Sequence, residues 1–461
     1  MDFSTIKKTP LYNAFSELGK RIYLPEGVFH WSTRAKKEAE IVGTIGAAYA
    51  YENNFISDGK KDWIPCYLKE LNDYIKEDAD INEIVPYPPI GGISDLRSIW
   101  KDWIVRKAPF LENEDSNEYK ILKDYITTPL ITSGVTNGIF LACALFLDRG
   151  DYVISPNKRW GNYDNIIKRF YDAEIKSFPF FKEGKLNLKG LERNIQEIAK
   201  IQNKLVLTLN FPNNPTGYVP TNEEAHEIVN FLRNEQIKQG KPFIVFVDDA
   251  YEPYVYSENH LNHSLFYELQ QLKNDVIPIK LDGITKEFLI YGGRIGFLTI
   301  GLKEGWITTQ EELLLLKDQI NNKLEGLNRS VISNPNHFYQ SITYNLFKKS
   351  GIESIIKSRD KVKELLKERF EIIISEINKI ENKIISLDPN GGGFFVFLNL
   401  DPNVISATTF ADHLLRKYKV GVIPVQNEEE QINGIRIAYC SIDSSQIPEV
   451  IKRINQALKD F

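Results

Sequence analysis

Asp282-Gly283-Ile284-Thr285-Lys286-Glu287-Phe288-Leu289-Ile290-Tyr291-Gly292-Gly293-Arg294-Ile295-Gly296-Phe297 joins two short apolar runs, Pro278 to Leu281 and Ile295 to Ile300. Runs of this length, bounded by glycine, read as buried strands rather than helices. A lysine therefore stands in a tight loop just past a strand end, and an arginine bracketed by glycines follows it eight residues later. Upstream, Lys204 to Phe211 is followed by Asn213-Asn214-Pro215-Thr216-Gly217, and Phe243 to Val247 by Asp248-Asp249-Ala250-Tyr251. Each apolar run thus ends in polar, turn-forming residues.

From about Asp151 to Gly301 such runs, Tyr152 to Ile154 among them, alternate with longer amphipathic segments. The alternation predicts an α/β fold, with a mostly parallel sheet covered by helices on both faces. Ligands of such sheets bind beyond the carboxyl ends of the strands, where all three polar loops fall. Asn336 to about Lys383 has helical spacing and predicts one or two long helices with a charged, solvated face. Beyond it, Ile384 to Leu387, Gly393 to Leu400, Val420 to Val425 and Gly434 to Ala438 read as strands, interleaved with helices near Thr408 to Tyr418 and Ser445 to Leu458. This is a second, smaller α/β unit. Leu111 to Asn117, acidic and polar, reads as a mobile surface loop.

A chain of 461 residues exceeds what one hydrophobic core usually supports, so at least two packed units are expected. A net charge of -5, with basic residues spread along the chain, gives no footprint for nucleic acid or an anionic membrane, and a small soluble substrate fits better. The three cysteines, Cys66, Cys143 and Cys440, are far apart, which fits packing roles in a reducing compartment. Met1 to Pro10 lacks the apolar core of a signal peptide, and no apolar run approaches the roughly 18 residues of a membrane helix. A cytoplasmic address is the expectation. Neither a Gly-x-x-x-x-Gly-Lys-Ser/Thr loop nor His-Glu-x-x-His occurs, and of six histidines only His260 and His263 are close. No residue is assigned to a metal.

Taken in order, the Asn-Pro-Thr-Gly, Asp-x-Ala-Tyr and Thr-Lys loops resemble the active site of aminotransferases with the aspartate aminotransferase fold (class I/II, fold type I), which use pyridoxal 5'-phosphate (PLP). The resemblance runs from about Gly27 to the end and implies a large PLP-binding domain flanked by two pieces of one small domain. The expected division is an arm at 1–26 that embraces the partner subunit, small-domain pieces at 27–85 and 336–461, and the large domain at 86–335.

By that resemblance Lys286 holds PLP as a Schiff base and shuttles a proton. Asp248 keeps the ring nitrogen protonated, and Tyr251 and Asn214 hydrogen-bond the phenolic oxygen. The phosphate takes a helix N-terminus, supplied by Gly134, Val135 and Thr136 before the apolar Ile139 to Leu147, together with the fork of Arg294. Gly283 stands where the family keeps a hydroxyl, and Thr285 is the nearest compensating group. Trp160 stacks on the ring, and Tyr87 reaches the phosphate from the neighbouring subunit, which implies a homodimer with a shared site. Arg436 grips the substrate α-carboxylate and Arg329 a side-chain carboxylate across the interface, while Gly46 contacts substrate. The implied reaction is amino transfer between an L-amino acid and a 2-oxo acid, aspartate or glutamate favoured and aromatic amino acids next. A PLP lyase or decarboxylase of the same fold is the alternative, and a PLP-binding regulator without turnover is a further one.

Overall fold

The structure, a computed structural model, describes residues 7–8, 12, 14–23, 27–77, 80–110 and 116–461. The expected mobile loop at 111–117 falls mostly outside these, and its last residue, Asn117, begins a helix that runs to Asp124.

Seven strands form the central sheet: β1 (Leu130–Thr132), β2 (Tyr152–Pro156), β3 (Glu174–Phe178), β4 (Leu205–Asn210), β5 (Phe243–Asp248), β6 (Val276–Gly283) and β7 (Gly296–Ile300). Their order is β1-β7-β6-β5-β4-β2-β3, and only β7 runs antiparallel to its neighbours. β4, β5 and β7 are buried along their whole length, the signature of a sheet covered on both faces. Alternation divides their side chains between two cores. Leu205, Leu207 and Leu209 with Phe243, Val245 and Val247 face one, while Val206, Ile244 and Phe246 face the other. Each such side chain contributes roughly 1.5–3 kcal/mol on burial. Two strands lie outside the apolar runs read from sequence: β1, only three residues long, and β3, an edge strand whose first four residues are not buried.

Helices cover both faces, and several begin where a side chain satisfies free N–H groups. Thr221 and Glu224 form a reciprocal capping box at Asn222–Gln239, and Gly240, at φ 62°, ends that helix in the left-handed conformation. The helical region after Asn336 is two helices, His337–Asn345 and Ile352–Ile377.

The second sheet is antiparallel: β8 (Ile385–Leu387), β9 (Val396–Leu400), β10 (Ile423–Asn427) and β11 (Ile432–Ile437), ordered β8-β9-β11-β10. Helix Ala407–Tyr418 packs on it, and Ile447–Leu458 packs against that helix and against Ile352–Ile377. Ile41–Val42 pairs in parallel with Val420–Gly421, so a segment from the start of the chain is built into this C-terminal unit. The described part of the N-terminal arm packs on its own chain: Arg21 donates through Nε to the Arg169 carbonyl at 2.6 Å, and the Arg169 guanidinium lies 4.2 Å from the Tyr23 ring.

Candidate active site

β4, β5 and β6 run in parallel; β4 and β5 end in register at Asn210 and Asp248, and β6, whose Leu281 lies beside Asp248, runs two residues further to Gly283. A cavity of about 230 Å³ opens beyond those ends. The end of β5 delivers Asp248 into it. Asp248 is buried, and its carboxylate accepts from the Tyr163 hydroxyl at 2.5 Å and the Ala250 N–H at 3.2 Å. Burial pushes this carboxyl up to about 6, against the pull of those two bonds. No cation among the described residues pairs with it, so a buried carboxylate stands ready for a protonated ring nitrogen.

Gly283 ends β6, and the single helical turn Ile284–Glu287 that follows carries Lys286. Its ammonium donates to the Gly46 carbonyl and stands 4.9 Å from the centre of the Tyr291 ring and 5.8 Å from that of Tyr251. The Tyr254 hydroxyl donates to the Lys286 carbonyl at 2.8 Å, which pins the turn. Burial, reinforced by Arg294 and Arg436 nearby, lowers the amine to about 8, so far more of it is neutral at physiological pH than for an exposed lysine. That is the condition a carbonyl-capturing amine requires.

An anion cradle faces it. Helix Val135–Phe146 starts after Gly134, whose φ of 81° puts the first N–H groups toward the cavity. A Cβ at Gly134 would stand 2.6 Å from Nη2 of Arg294, so glycine is what lets that guanidinium lie against the helix start. No carboxylate among the described residues pairs with Arg294. Val135, Thr136, Thr285 and Arg294 all line the cavity, and they could hold a phosphate.

On the other side stands Arg436, on β11 and 6 % exposed. It donates to Oδ1 of Asn214 at 3.1 Å and to the Thr44 carbonyl at 3.1 Å, and it lies 4.3 Å from the Phe395 ring. Its Nε has no partner, and no carboxylate neutralises it among the described residues. Burial lowers its pKa, the mark of a guanidinium short of a counter-ion. Gly46 packs on the same phenylalanine: a Cβ there would come within 2.8 Å of Phe395. Trp160 lines the cavity and meets Tyr163 edge-on at 5.6 Å.

The structure thus gathers Val135, Thr136, Trp160, Asn214, Asp248, Tyr251, Thr285, Lys286 and Arg294 around one space, with Gly46, Gly134 and Arg436 at its edge. Tyr87, 92 % exposed, and Arg329, also exposed, do not reach the cavity of their own chain. Their segments touch each other, since Asn334 donates to the Pro88 carbonyl and His337 to that of Pro86, each at 2.7 Å.

Sequence reading missed Tyr163 and Asn210. Tyr163 lies three residues after Trp160, one helical turn away, and that spacing was its only signal. Asn210 donates to the Asp248 carbonyl at 2.8 Å and accepts from the Asn214 N–H at 2.9 Å. A polar residue closing an otherwise apolar strand was the clue. Behind the site the carboxylates of Glu252, Asp282 and Glu287 lie within 4.8 Å of one another, and the ammonium groups of Lys107 and Lys280 stand among them.

A covered sheet with one antiparallel strand, carrying a half-buried lysine, a buried aspartate with no cation partner among the described residues and an anion cradle at its carboxyl ends, defines a PLP enzyme of fold type I. The profile of the family described as aminotransferase class I and II matches residues 52–454, and the chain belongs to that family. It is 25 % identical over 379 residues to an aspartate aminotransferase of Pyrococcus horikoshii, covering 81 % of this chain and 83 % of that one. It is likewise 25 % identical over 401 residues to a probable aspartate/prephenate aminotransferase of Aquifex aeolicus, covering 84 % and 88 %. Among solved structures, an aminotransferase from Anaerococcus prevotii superposes with a TM-score of 0.79 at 22 % identity, covering 96 % of this chain and 98 % of that one, and so shares the fold. The protein is a PLP-dependent aminotransferase, and these relatives do not favour the lyase or decarboxylase alternative.

Proposed function

We propose that this chain transfers the amino group of aspartate or glutamate to a 2-oxo acid, with aromatic amino acids as second-choice donors. The observation that carries the reading is Arg436, buried without a carboxylate partner among the described residues and bonded to cavity-lining Asn214, in the site that holds the half-buried, weakly basic Lys286. A guanidinium in that state calls for a substrate carboxylate, which it would bind in bidentate fashion.

Bound PLP supplies an electron sink for the charge left on the substrate Cα when its proton departs. Lys286 holds the cofactor through its amine and moves that proton at Cα. Asp248 keeps a proton on the ring nitrogen, with Tyr163 and Asn210 fixing its carboxylate and backbone. Tyr251 and Asn214 donate to the phenolic oxygen, Trp160 covers one ring face, and Gly134, Val135, Thr136, Thr285 and Arg294 hold the phosphate. Arg436 would orient the α-carboxylate and so present the Cα–H bond to the Lys286 amine, an arrangement that exploits proximity rather than added chemistry. Gly46 borders the substrate.

The exposed segments of Tyr87 and Arg329, joined by their hydrogen bonds, support a homodimer in which each reaches the other subunit's site: Tyr87 to the phosphate, Arg329 to the side-chain carboxylate. The aspartate aminotransferases among the relatives support the dicarboxylic preference. The two sheets support a large domain at 86–335 and a small one at 27–85 and 336–461, with an arm at 1–26. No helix among the described residues is long and apolar enough to cross a membrane, which accords with a cytoplasmic address.

The test is an absorbance spectrum of the purified, PLP-loaded protein before and after L-amino acids are added without an oxo acid. Conversion of the lysine-bound cofactor band to that of pyridoxamine phosphate by aspartate or glutamate is expected. Conversion by aromatic amino acids alone would overturn the dicarboxylic preference, and no conversion by any amino acid would overturn the proposal.

A further inference from the structure

Three of the residues placed in the site are each followed by an acid: Asp248 by Asp249, Tyr251 by Glu252 and Lys286 by Glu287. All three acids are at most 4 % exposed, and all point away from the cavity into one cluster. At a strand end this follows from alternation, since Asp248 and Asp249 must face opposite sides. Two lysines string the acids together. Lys280 of β6 donates to Asp249 at 2.5 Å and to Glu252 at 2.8 Å, and Lys107 donates to Glu252 at 2.7 Å and to Glu287 at 3.2 Å. The result is a continuous path, Asp249–Lys280–Glu252–Lys107–Glu287.

Groups from every neighbouring element tighten it. The Ser264 hydroxyl donates to Asp249 at 2.6 Å, the Trp103 indole to Glu287 at 2.8 Å and the Trp100 indole to Asp282 at 3.1 Å. Arg359, from helix Ile352–Ile377 of the C-terminal unit, approaches Glu287 at 3.7 Å. Burial raises the pKa of Asp282, to about 6, while the two lysines hold Glu252 well down. Buried ion pairs are a poor source of stability, because apolar side chains of similar volume usually do as well. What they supply is geometry: a charged hydrogen bond fixes the distance between two groups far more narrowly than apolar contact does.

We propose that Asp249, Lys280, Glu252, Lys107 and Glu287 are positioning residues that form an ionic brace behind the site, setting the spacing of Asp248, Tyr251 and Lys286. The brace rests on the assignment of those three residues made above. It acts through the backbone of each site residue rather than by touching substrate or cofactor.

Two variants test it in the PLP-loaded enzyme: Glu252→Gln, and the double variant Lys280→Met with Asp249→Asn, which removes a cation and an anion together. Thermal unfolding identifies those that fold. Folded variants are expected to lose at least tenfold in kcat with KM changed less than threefold, and to alter the circular dichroism of the bound cofactor. Wild-type kcat and cofactor dichroism in the folded variants would overturn the brace. Should neither fold, hydrogen exchange on the wild-type holoenzyme decides: residues 248–252 and 283–288 must open together, and opening at well-separated free energies would overturn it. Failure of the brace is distinct from failure of the site assignment. In the latter case Lys286→Ala would keep the lysine-bound cofactor band and turnover, whereas with the brace alone wrong that variant loses both.

Discussion

At Lys286 the environment matters more than the residue type. Its amine, half-buried and lowered to about 8 from an ordinary 10.5, makes the cofactor-free protein's stability depend on pH. Below pH 8 the amine is charged in both states and burial disfavours the native one. Between 8 and 10.5 the unfolded chain binds a proton that the native chain does not, so stability rises with pH. The gain is roughly 3 kcal/mol across that window. Cofactor-free Lys286→Met is therefore expected to exceed the wild type in stability at pH 7 and to lose that advantage by pH 10.5, read by urea unfolding at several pH values. In the loaded enzyme Lys286→Ala should abolish both the lysine-bound band and turnover. Lys286 and Asp248 were legible through the loops they stand in, which resemble those of a known family, and Arg436 as an arginine within an apolar strand. Tyr163, Lys107 and Lys280 were not, since their significance lies in partners far along the chain.

The β6–turn–β7 element carries Lys286 and Arg294 in the connection between two strands that approach closely. A Cβ on Gly283 would stand 2.7 Å from the Gly296 Cα and from the Ile295 carbonyl. Restoring the family's hydroxyl by Gly283→Ser should therefore push the strands apart and destabilise the protein by roughly 1–3 kcal/mol, seen as a lower thermal midpoint, without tighter PLP binding. Thr285→Val should do the opposite, sparing the fold while weakening PLP binding roughly tenfold in a titration of the cofactor-free protein. Strand ends were the most legible elements, because buried apolar runs must stop where polar loops begin. β1 and β3 were hidden by brevity and by the mixed polarity of an edge.

The whole molecule was legible as two α/β units; periodicity could not place Ile41–Val42 with the second, because two residues hold none, and only the family resemblance, which joined 27–85 to 336–461, put that segment there. The proposed dimer makes its own prediction. Arg329→Ala should raise the KM for aspartate roughly thirtyfold while sparing aromatic donors. A mixed dimer of Arg329→Ala and Lys286→Ala subunits contains one site with an intact lysine and an intact arginine from the other chain, so the wild-type KM for aspartate should return. Kinetics equal to the sum of the parents would exclude a shared site. The pairing of Ile41–Val42 with Val420–Gly421 also orders events during synthesis. Translation at roughly 5–20 residues per second finishes the sheet with its lysine and anion cradle well before Val420 emerges. Through that interval the nascent chain has a cofactor cup without its roof: Ile41–Val42 has no strand to pair with and Arg436 is unmade. A ribosome stalled past Ile300 would thus hold a polypeptide able to capture PLP yet unable to clamp an amino acid, so cofactor loading can precede completion of the enzyme.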